Sequence, residues 1–378
     1  MTKVFYWCPY LSNVATINNV INSAISLAKY DKKYQIFLLE TIGEWQFAKT
    51  KLMTNNVQIE KLTKTIFKSH KVGFIKSRIY SIYLFIINFY PLIRILKSKQ
   101  PNFIIIHLLT SLPLLILYFF KLKTKFILRI SGLPRLNFFR KCLWKLISKK
   151  IYLVTCPSKE TLIDIQKMNI FDKKKLVLLE DPIINISEIQ KQKKKIDKKD
   201  HHKDFYLNIG RLTTQKNQKL LIEFFRNQLK ESKNLLLYII GEGEKRKELK
   251  KLISKYQLEK NIFLLGYKKN IYSYLLRSKA IILSSLWEDP GAVMIEAAFC
   301  NIPIISSDCK NGPKEFLMNS DAGYLFENNN INSLKTQFIR FNNEDNDIIA
   351  QKILLAKINS KNYTLFNHFK KLNYFLQN

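Results

Sequence analysis

"AIILSSLWEDPGAVMIEAAFCNIPIISSD", residues 280–308, begins with a short apolar strand, ends with another, and carries between them a helix that is apolar on every side but one. Short strands with no polar alternation are expected where a sheet is covered on both faces, as parallel sheets are. A helix from Ala292 to Cys300 joining two of them makes a βαβ unit. Its exception is Glu296, whose neighbours three and four residues away are Ala292, Val293, Phe299 and Cys300. A carboxylate rising from an apolar surface needs a donor or a ligand, because an unpaired buried charge is strongly unfavourable. The plainer reading is a helix-edge glutamate that reaches solvent. Asp289 and Pro290 are expected as N-cap and first helical residue, which would turn the amides of Gly291, Ala292 and Val293 outward.

The same alternation extends towards both ends of the chain. Strands are predicted in "KVFYWCP" from Lys3, "YQIFLLE" from Tyr34, "FIIIHLL" from Phe103, "KFILRIS" from Lys125 and "YLVTCPS" from Tyr152, with helices over 15–29 and from about Lys159. A polar run, "EIQKQKKKIDKKDHHKD" at 188–204, reads as a solvated linker. Beyond it the pattern restarts with "FYLNIG", "LLLYIIG" and "NIFLLGY". The expected organisation is an N-terminal Rossmann-like domain over 1–190, a linker over 191–203 and a second Rossmann-like domain over 204–378.

Composition narrows the classes. The 378 residues are 47% hydrophobic with only ten glycines and ten prolines, which suits globular domains with sizeable cores. A net charge of +34 raises nucleic acid or an anionic membrane surface as a partner. Of the 63 basic residues, however, ten are arginine and the rest lysine, and no module interleaves them with base-stacking aromatics. Nucleic acid is therefore not expected, and an anionic membrane surface is. The stretch 129–150, "RISGLPRLNFFRKCLWKLISKK", could place Phe138, Phe139, Leu143, Trp144 and Ile147 along one side of an amphipathic helix. Two apolar stretches, from 79 and from 103, approach membrane-span length but are broken by Asn88, Pro91 and Arg94, and by Thr110, Ser111 and Pro113. They are expected as buried α/β layers. Cys8, Cys142, Cys156, Cys300 and Cys309 show no metal-ligand spacing, and the start carries no signal-peptide pattern, so a cytoplasmic protein with reduced thiols is expected.

Doubly wound sheets bind ligands at the carboxyl ends of their strands. "NIGRLTTQKN" at 208–217 puts Gly210, Arg211 and Lys216 at such an end, and two cations beside a helix start suit a diphosphate. "IIGEGE" adds Gly241 and Gly243, and "LLGY" adds Tyr267, at neighbouring strand ends where glycine would let backbone approach a ligand. The chain's one D-x-D, Asp345 to Asp347, lies in a polar segment with no preceding strand, so neither a metal site nor any other cofactor is expected.

Taken in order, "GRLTTQKN", "IGEGE", the seven-residue gap between Glu288 and Glu296, and "GPKEFL" resemble the family 4 retaining glycosyltransferases. The resemblance implies the GT-B fold: α/β, with two Rossmann-like domains facing a central cleft and C-terminal helices crossing back to the first. It implies retaining, metal-independent transfer of a hexose or N-acetylhexosamine from a nucleotide-diphosphate sugar, with UDP as the carrier. The acceptor would be a glycan or polyprenyl-linked molecule in bacterial surface polysaccharide synthesis (lipopolysaccharide O-antigen or capsule), at the inner face of the cytoplasmic membrane. Carried over residue by residue, Arg211 and Lys216 would neutralise the departing diphosphate. Glu288 would lie by the donor sugar, Glu296 would bind ribose hydroxyls, and His107 would face the sugar. The chain departs from the family pattern at "SNVAT", where Asn13 and Val14 replace two glycines of a donor-side loop, and at "EDPG". Two other classes stay open: a nucleotide-sugar epimerase on the same fold, and a non-catalytic basic protein that binds membranes or nucleic acid.

Overall fold

The computed structural model describes residues 1–10, 15–63, 74–132, 137–194 and 205–378, in two compact units. Unit 1 comprises Met1–Ile183 and Leu365–Asn378, and unit 2 comprises Ile184–Thr364.

Unit 1 runs β1 (Thr2–Trp7), α1 (Ala15–Tyr30), β2 (Tyr34–Glu40), α2 (Lys49–Thr54), β3 (Val57–Lys61), α3 (Phe74–Lys99), β4 (Phe103–Ile106), α4 (Ser111–Phe119), β5 (Lys125–Arg129), α5 (Phe138–Ile147), β6 (Leu153–Cys156), α6 (Lys159–Lys167) and β7 (Leu176–Leu178). The strands form one parallel sheet in the order β3-β2-β1-β4-β5-β6-β7. Side chains alternate between two buried faces. Phe5 and Trp7 join Ile104 and Ile106 beneath α3, α4 and α5, while Val4 and Tyr6 join Phe103 and Ile105 beneath α1. The apolar runs of the sequence are apolar because neither face of the sheet meets water.

Unit 2 runs α7 (Ile186–Lys193), β8 (Phe205–Ile209), α8 (Gln218–Gln228), β9 (Leu237–Ile240), α9 (Arg246–Lys255), β10 (Ile262–Gly266), α10 (Tyr272–Leu275), β11 (Ser278–Leu283), α11 (Ala292–Phe299), β12 (Ile304–Ser307), α12 (Pro313–Phe316), β13 (Tyr324–Phe326), α13 (Ile331–Asn343) and α14 (Asn346–Ser360). Its parallel sheet has the order β10-β9-β8-β11-β12-β13. The order reverses direction beside β8, as it does beside β1 in unit 1.

The last helix, α15 (Leu365–Gln377), belongs to unit 1 and packs on α1. His368 fixes it there, with Nε2 2.8 Å from Ser23 Oγ and Nδ1 2.7 Å from the Glu180 carbonyl. Lys371 adds a salt bridge to Glu180.

Three expectations need correction. The units divide at 183/184 and again at 364/365, so residues 188–194 of the polar run fall within unit 2, and the rest of the run lies outside the described residues. Its first residues are not loop: Asn185 accepts from the Glu188 amide to cap α7, and Ile189 is buried. The apolar residues of α5 do not share one side. Trp144 and Ile147 face the core, Leu143 packs partly against it, and Phe138 and Phe139 stand exposed in the first turn. The stretch from 79, expected as a buried layer, forms much of α3, of which one edge alone is buried.

Candidate functional site

Of the sequence-selected residues of unit 2, Gly210, Lys216 and Glu288 meet at the carboxyl ends of β8 and β11, the adjacent strands where the sheet order reverses. After β8 the chain passes through Gly210 and Arg211 into a short turn at Thr214–Lys216 before α8 starts. A Cβ on Gly210 would sit 3.3 Å from the Lys216 side chain, so the glycine gives the lysine stem its path. Lys216 Nζ reaches Glu288 Oε1 and forms an ion pair with it, and Ser285 Oγ donates to the same oxygen. Glu288 is buried and Lys216 half-buried, so each charge has its main compensation in the other.

The loop that carries Glu288 is held from two sides. Gln215 donates its side-chain amide to the Trp287 carbonyl at 2.9 Å and accepts the Leu286 amide on its own carbonyl at 2.8 Å. Ser284 Oγ bonds to the carbonyls of Lys216 and Asn217, and Ser307 Oγ to that of Ser285. The Glu288 amide meets the Lys310 carbonyl at 3.1 Å. Gln215, Ser284, Ser285 and Ser307 were not singled out in the sequence; the only signal was a Ser-Ser pair after each of two apolar strands.

The helix start differs from expectation. Gly291, with φ +93°, is the N-cap, and α11 begins at Ala292. A left-handed residue at 291 cannot continue a helix from Pro290, so Asp289 and Pro290 lie outside it. The outward amides are those of Ala292 and Val293, which precede the first amide bonded within the helix, that of Met294 to the Gly291 carbonyl.

Glu296 lies one turn into α11, and its carboxylate accepts from the Tyr272 hydroxyl of α10 at 3.0 Å. Although the residue is only half-buried, the protein crowded around its carboxyl pushes the pKa up to about 7, with the Tyr272 bond opposing the shift. Tyr272, itself buried, was missed because a tyrosine in an ordinary helix carries no charge pattern. Glu288 and Glu296 thus have separate hydrogen-bond partners.

The remaining candidates are dispersed. Arg211 is exposed, 3.4 Å from Gln215 Oε1. The glycines after β9 answer a need of the chain itself: a Cβ on Gly241 would come within 1.9 Å of the Gly210 carbonyl oxygen, and one on Gly243 within 2.2 Å of that of Leu212. They allow two strand-end loops to lie backbone to backbone. Tyr267 is exposed after β10. Asn13 lies outside the described residues. In unit 1, His107 follows β4, stacks near Tyr6 and lines a small cavity with Ser23, Arg129, Thr155 and His368. Neither of its ring nitrogens has a partner among the described residues, and burial, then the Arg129 charge, push its pKa well down. Asp345 is the N-cap of α14, accepting from the Asp347 amide at 2.8 Å.

Two doubly wound parallel-sheet units define the class, and solved structures agree. The chain aligns over 100% of its length with 99% of Anabaena HepE, in complex with UDP and glucose, at a TM-score of 0.72 and 16% identity. The fold is GT-B. Residues 189–353 match the glycosyl transferases group 1 family, in agreement with the resemblance read from the motifs. An uncharacterized glycosyltransferase of Methanocaldococcus jannaschii is 31% identical over 249 residues, covering 60% of this chain and 61% of the relative. The N-acetylgalactosamine-N,N'-diacetylbacillosaminyl-diphospho-undecaprenol 4-alpha-N-acetylgalactosaminyltransferase of Campylobacter jejuni is 29% identical over 220 residues, covering 56% and 59%. The match thus spans about three-fifths of the length of each of these curated relatives.

Proposed function

We propose that the protein is a retaining, metal-independent glycosyltransferase that moves a hexosyl or N-acetylhexosaminyl group from a UDP-sugar to a lipid-linked glycan acceptor in bacterial surface polysaccharide synthesis. The observation that carries the reading is the Lys216–Glu288 pair at the switch point of the group 1 domain, beside Gly210 and the loop that leads to the start of α11. As the glycosidic bond to diphosphate breaks, negative charge grows on the leaving group and positive charge on the anomeric carbon. Lys216 and Arg211 stabilise the first, with the amides of Ala292 and Val293 as further donors. Glu288, held by Ser285, keeps Lys216 extended in the free protein and offers a carboxylate to the sugar once the lysine turns to phosphate. Glu296 takes the ribose hydroxyls on the carboxylate that Tyr272 orients.

The UDP carrier is supported by HepE, which was solved with UDP and glucose, and the lipid-linked acceptor by the undecaprenol in the name of the C. jejuni relative. An acceptor of that kind places the protein at the cytoplasmic face of a membrane. The test is incubation with radiolabelled UDP-sugars and a bacterial lipid extract in excess chelator, with the anomeric configuration of the product read by NMR. Label on lipid with an α-linkage is expected. An altered free sugar would make it an epimerase, and inverted product would remove the retaining assignment.

A further inference from the structure

We infer that the outer face of α3 is a surface that docks on an anionic lipid bilayer, lying along it rather than crossing it. Among the described residues, Arg78–Lys99 is the one helical segment long and apolar enough to span a membrane, yet only 28% of its apolar window is buried within the protein. Burial follows mainly one edge, Leu84, Asn88, Leu92 and Leu96 at every fourth residue, joined by Ile93 in the last turns, and Leu92, Ile93 and Leu96 belong to the core beneath the sheet. That edge pins the helix to the domain, and a spanning orientation would strip it from the core.

The opposite edge has no core to face. Ile79, Ile82, Ile86 and Tyr90 are each more than 60% exposed, and Phe89 lies beside them. They recur at three- and four-residue steps and form one stripe, which continues into exposed Arg94 and Lys97. A stripe of isoleucines with an aromatic border and a basic end is the composition of an interfacial helix.

Charge selects the occupant. From Lys61 to Lys159 the sequence contains no Asp or Glu and twenty Lys or Arg. The segment that builds α3, α4 and α5 therefore carries no acid of its own, although Lys99 and Arg129 pair with Glu60 and Asp181 outside it, and these helices pack in succession over one face of the sheet. A second copy of the chain would bring the same positive charge against it. Nucleic acid would satisfy the charge but give nothing to three exposed isoleucines. An anionic bilayer meets both, with headgroups for the cations and acyl chains for the stripe. The inference rests on the proposed lipid-linked acceptor for its purpose, but not for its physical argument.

The test sediments the full chain with vesicles of phosphatidylcholine alone, or mixed with phosphatidylglycerol, over a salt series. The wild type should bind the mixed vesicles, less so as salt rises. Ile82→Glu/Ile86→Glu should lower partitioning by roughly tenfold or more, and Ile82→Ser/Ile86→Ser by less, with melting curves unchanged. Undiminished binding by the glutamate pair would overturn the proposal. So would indifference of the wild type to phosphatidylglycerol, or a dimer that these substitutions dissolve. Release of UDP from donor without vesicles is measured in parallel. Vesicle binding through α3 with no donor turnover in the wild type would remove the enzyme reading and leave the surface. Turnover with no α3-dependent binding would do the reverse.

Discussion

The two sheets share a strand order around their switch points but carry opposite chemistry there. Unit 2 has short side chains and a charge pair at the strand ends: Gly210, Ser284, Ser285, Lys216 and Glu288. Unit 1 fills the equivalent region with bulk and buried imidazoles. Trp7 and Trp45 are enclosed, Tyr10 lies edge-on to Trp45, and His107 sits within reach of the charge of Arg129, itself bonded to the Leu179 carbonyl and Asp181. The same backbone thus makes one set of strand ends lined by a charge pair and another filled with bulk, where His107 and the Thr155 hydroxyl have no partner among the described residues. Fold supplies the location and side chains decide whether it becomes a site.

Breaking the charge pair should give the largest effect. Glu288→Gln and Lys216→Ala should each lower kcat by roughly 10²-fold or more, because each loses a contact that strengthens as charge separates. Arg211→Ala should act in the same direction. Melting must be followed beside the kinetics, since either change leaves the other charge without its ion-pair partner. Wild-type kcat in a folded Glu288→Gln protein would show that unit 2 is no more a reaction site than unit 1.

The second effect is on stability, where the units should answer pH with opposite signs. Burial holds His368 at about 3 against an ordinary 6.5, so between those values the unfolded chain binds a proton that the folded one refuses. Its contribution is present above about pH 6.5 and is lost as pH falls towards 3. Burial holds Glu296 at about 7 against 4.5, so the folded chain keeps a proton that the unfolded one gives up. That contribution is lost as pH rises from 4.5 through 7. His368→Leu leaves the Glu180 carbonyl without this partner and Ser23 with the Tyr6 hydroxyl, should cost about 1–3 kcal/mol, and should flatten the acid side of a melting-temperature profile. Glu296→Gln should flatten the neutral side. Identical pH profiles for both variants and the wild type would abolish the distinction.

How far the sequence reaches is clear from particular residues. Apolar runs such as "FIII" and "AIIL" reveal parallel strands because burial on both faces excludes polar alternation. Lys216 was picked out as a cation on the loop between a strand end and a helix start, and Glu288 through the family resemblance. Their mutual pairing was not, since it depends on how two loops separated by 72 residues meet. Gly291 as N-cap was hidden behind Asp-Pro, a stronger local signal for a helix start, because the left-handed turn is imposed by packing of the Glu288 loop against α11. α7 was hidden for a similar reason: seven lysines in 191–203 outweigh the Asn-Ile-Ser-Glu start just before them. Tyr272 carried no sequence signal at all.

Smaller effects sharpen the site within unit 2. Tyr272→Phe should raise donor KM a few-fold while leaving kcat nearly unchanged, because ribose alters little during the reaction and its contacts act as uniform binding. Glu296→Gln should do the same more strongly. A fall in kcat without a change in KM would move Glu296 from the ribose to the reacting centre.

The smallest effect expected is at Asp345. Its carboxylate caps α14 through the Asp347 amide, and losing such a cap costs about 1 kcal/mol, so Asp345→Ala should lower the melting temperature by a few degrees at most. A metal ligand would behave otherwise. If Asp345 and Asp347 held a divalent ion against a diphosphate, alanine at either would abolish transfer, and manganese would restore a chelator-treated wild type but not the variant. Unchanged kcat in Asp345→Ala, with and without chelator, is the result expected from a residue whose carboxylate is already committed to a helix end. A loss of rate in Asp345→Ala, with a chelator-treated wild type that manganese restores, would transfer the handling of phosphate charge from Lys216 and Arg211 to a metal, and the contrast between the two sets of strand ends would no longer explain where the reaction occurs.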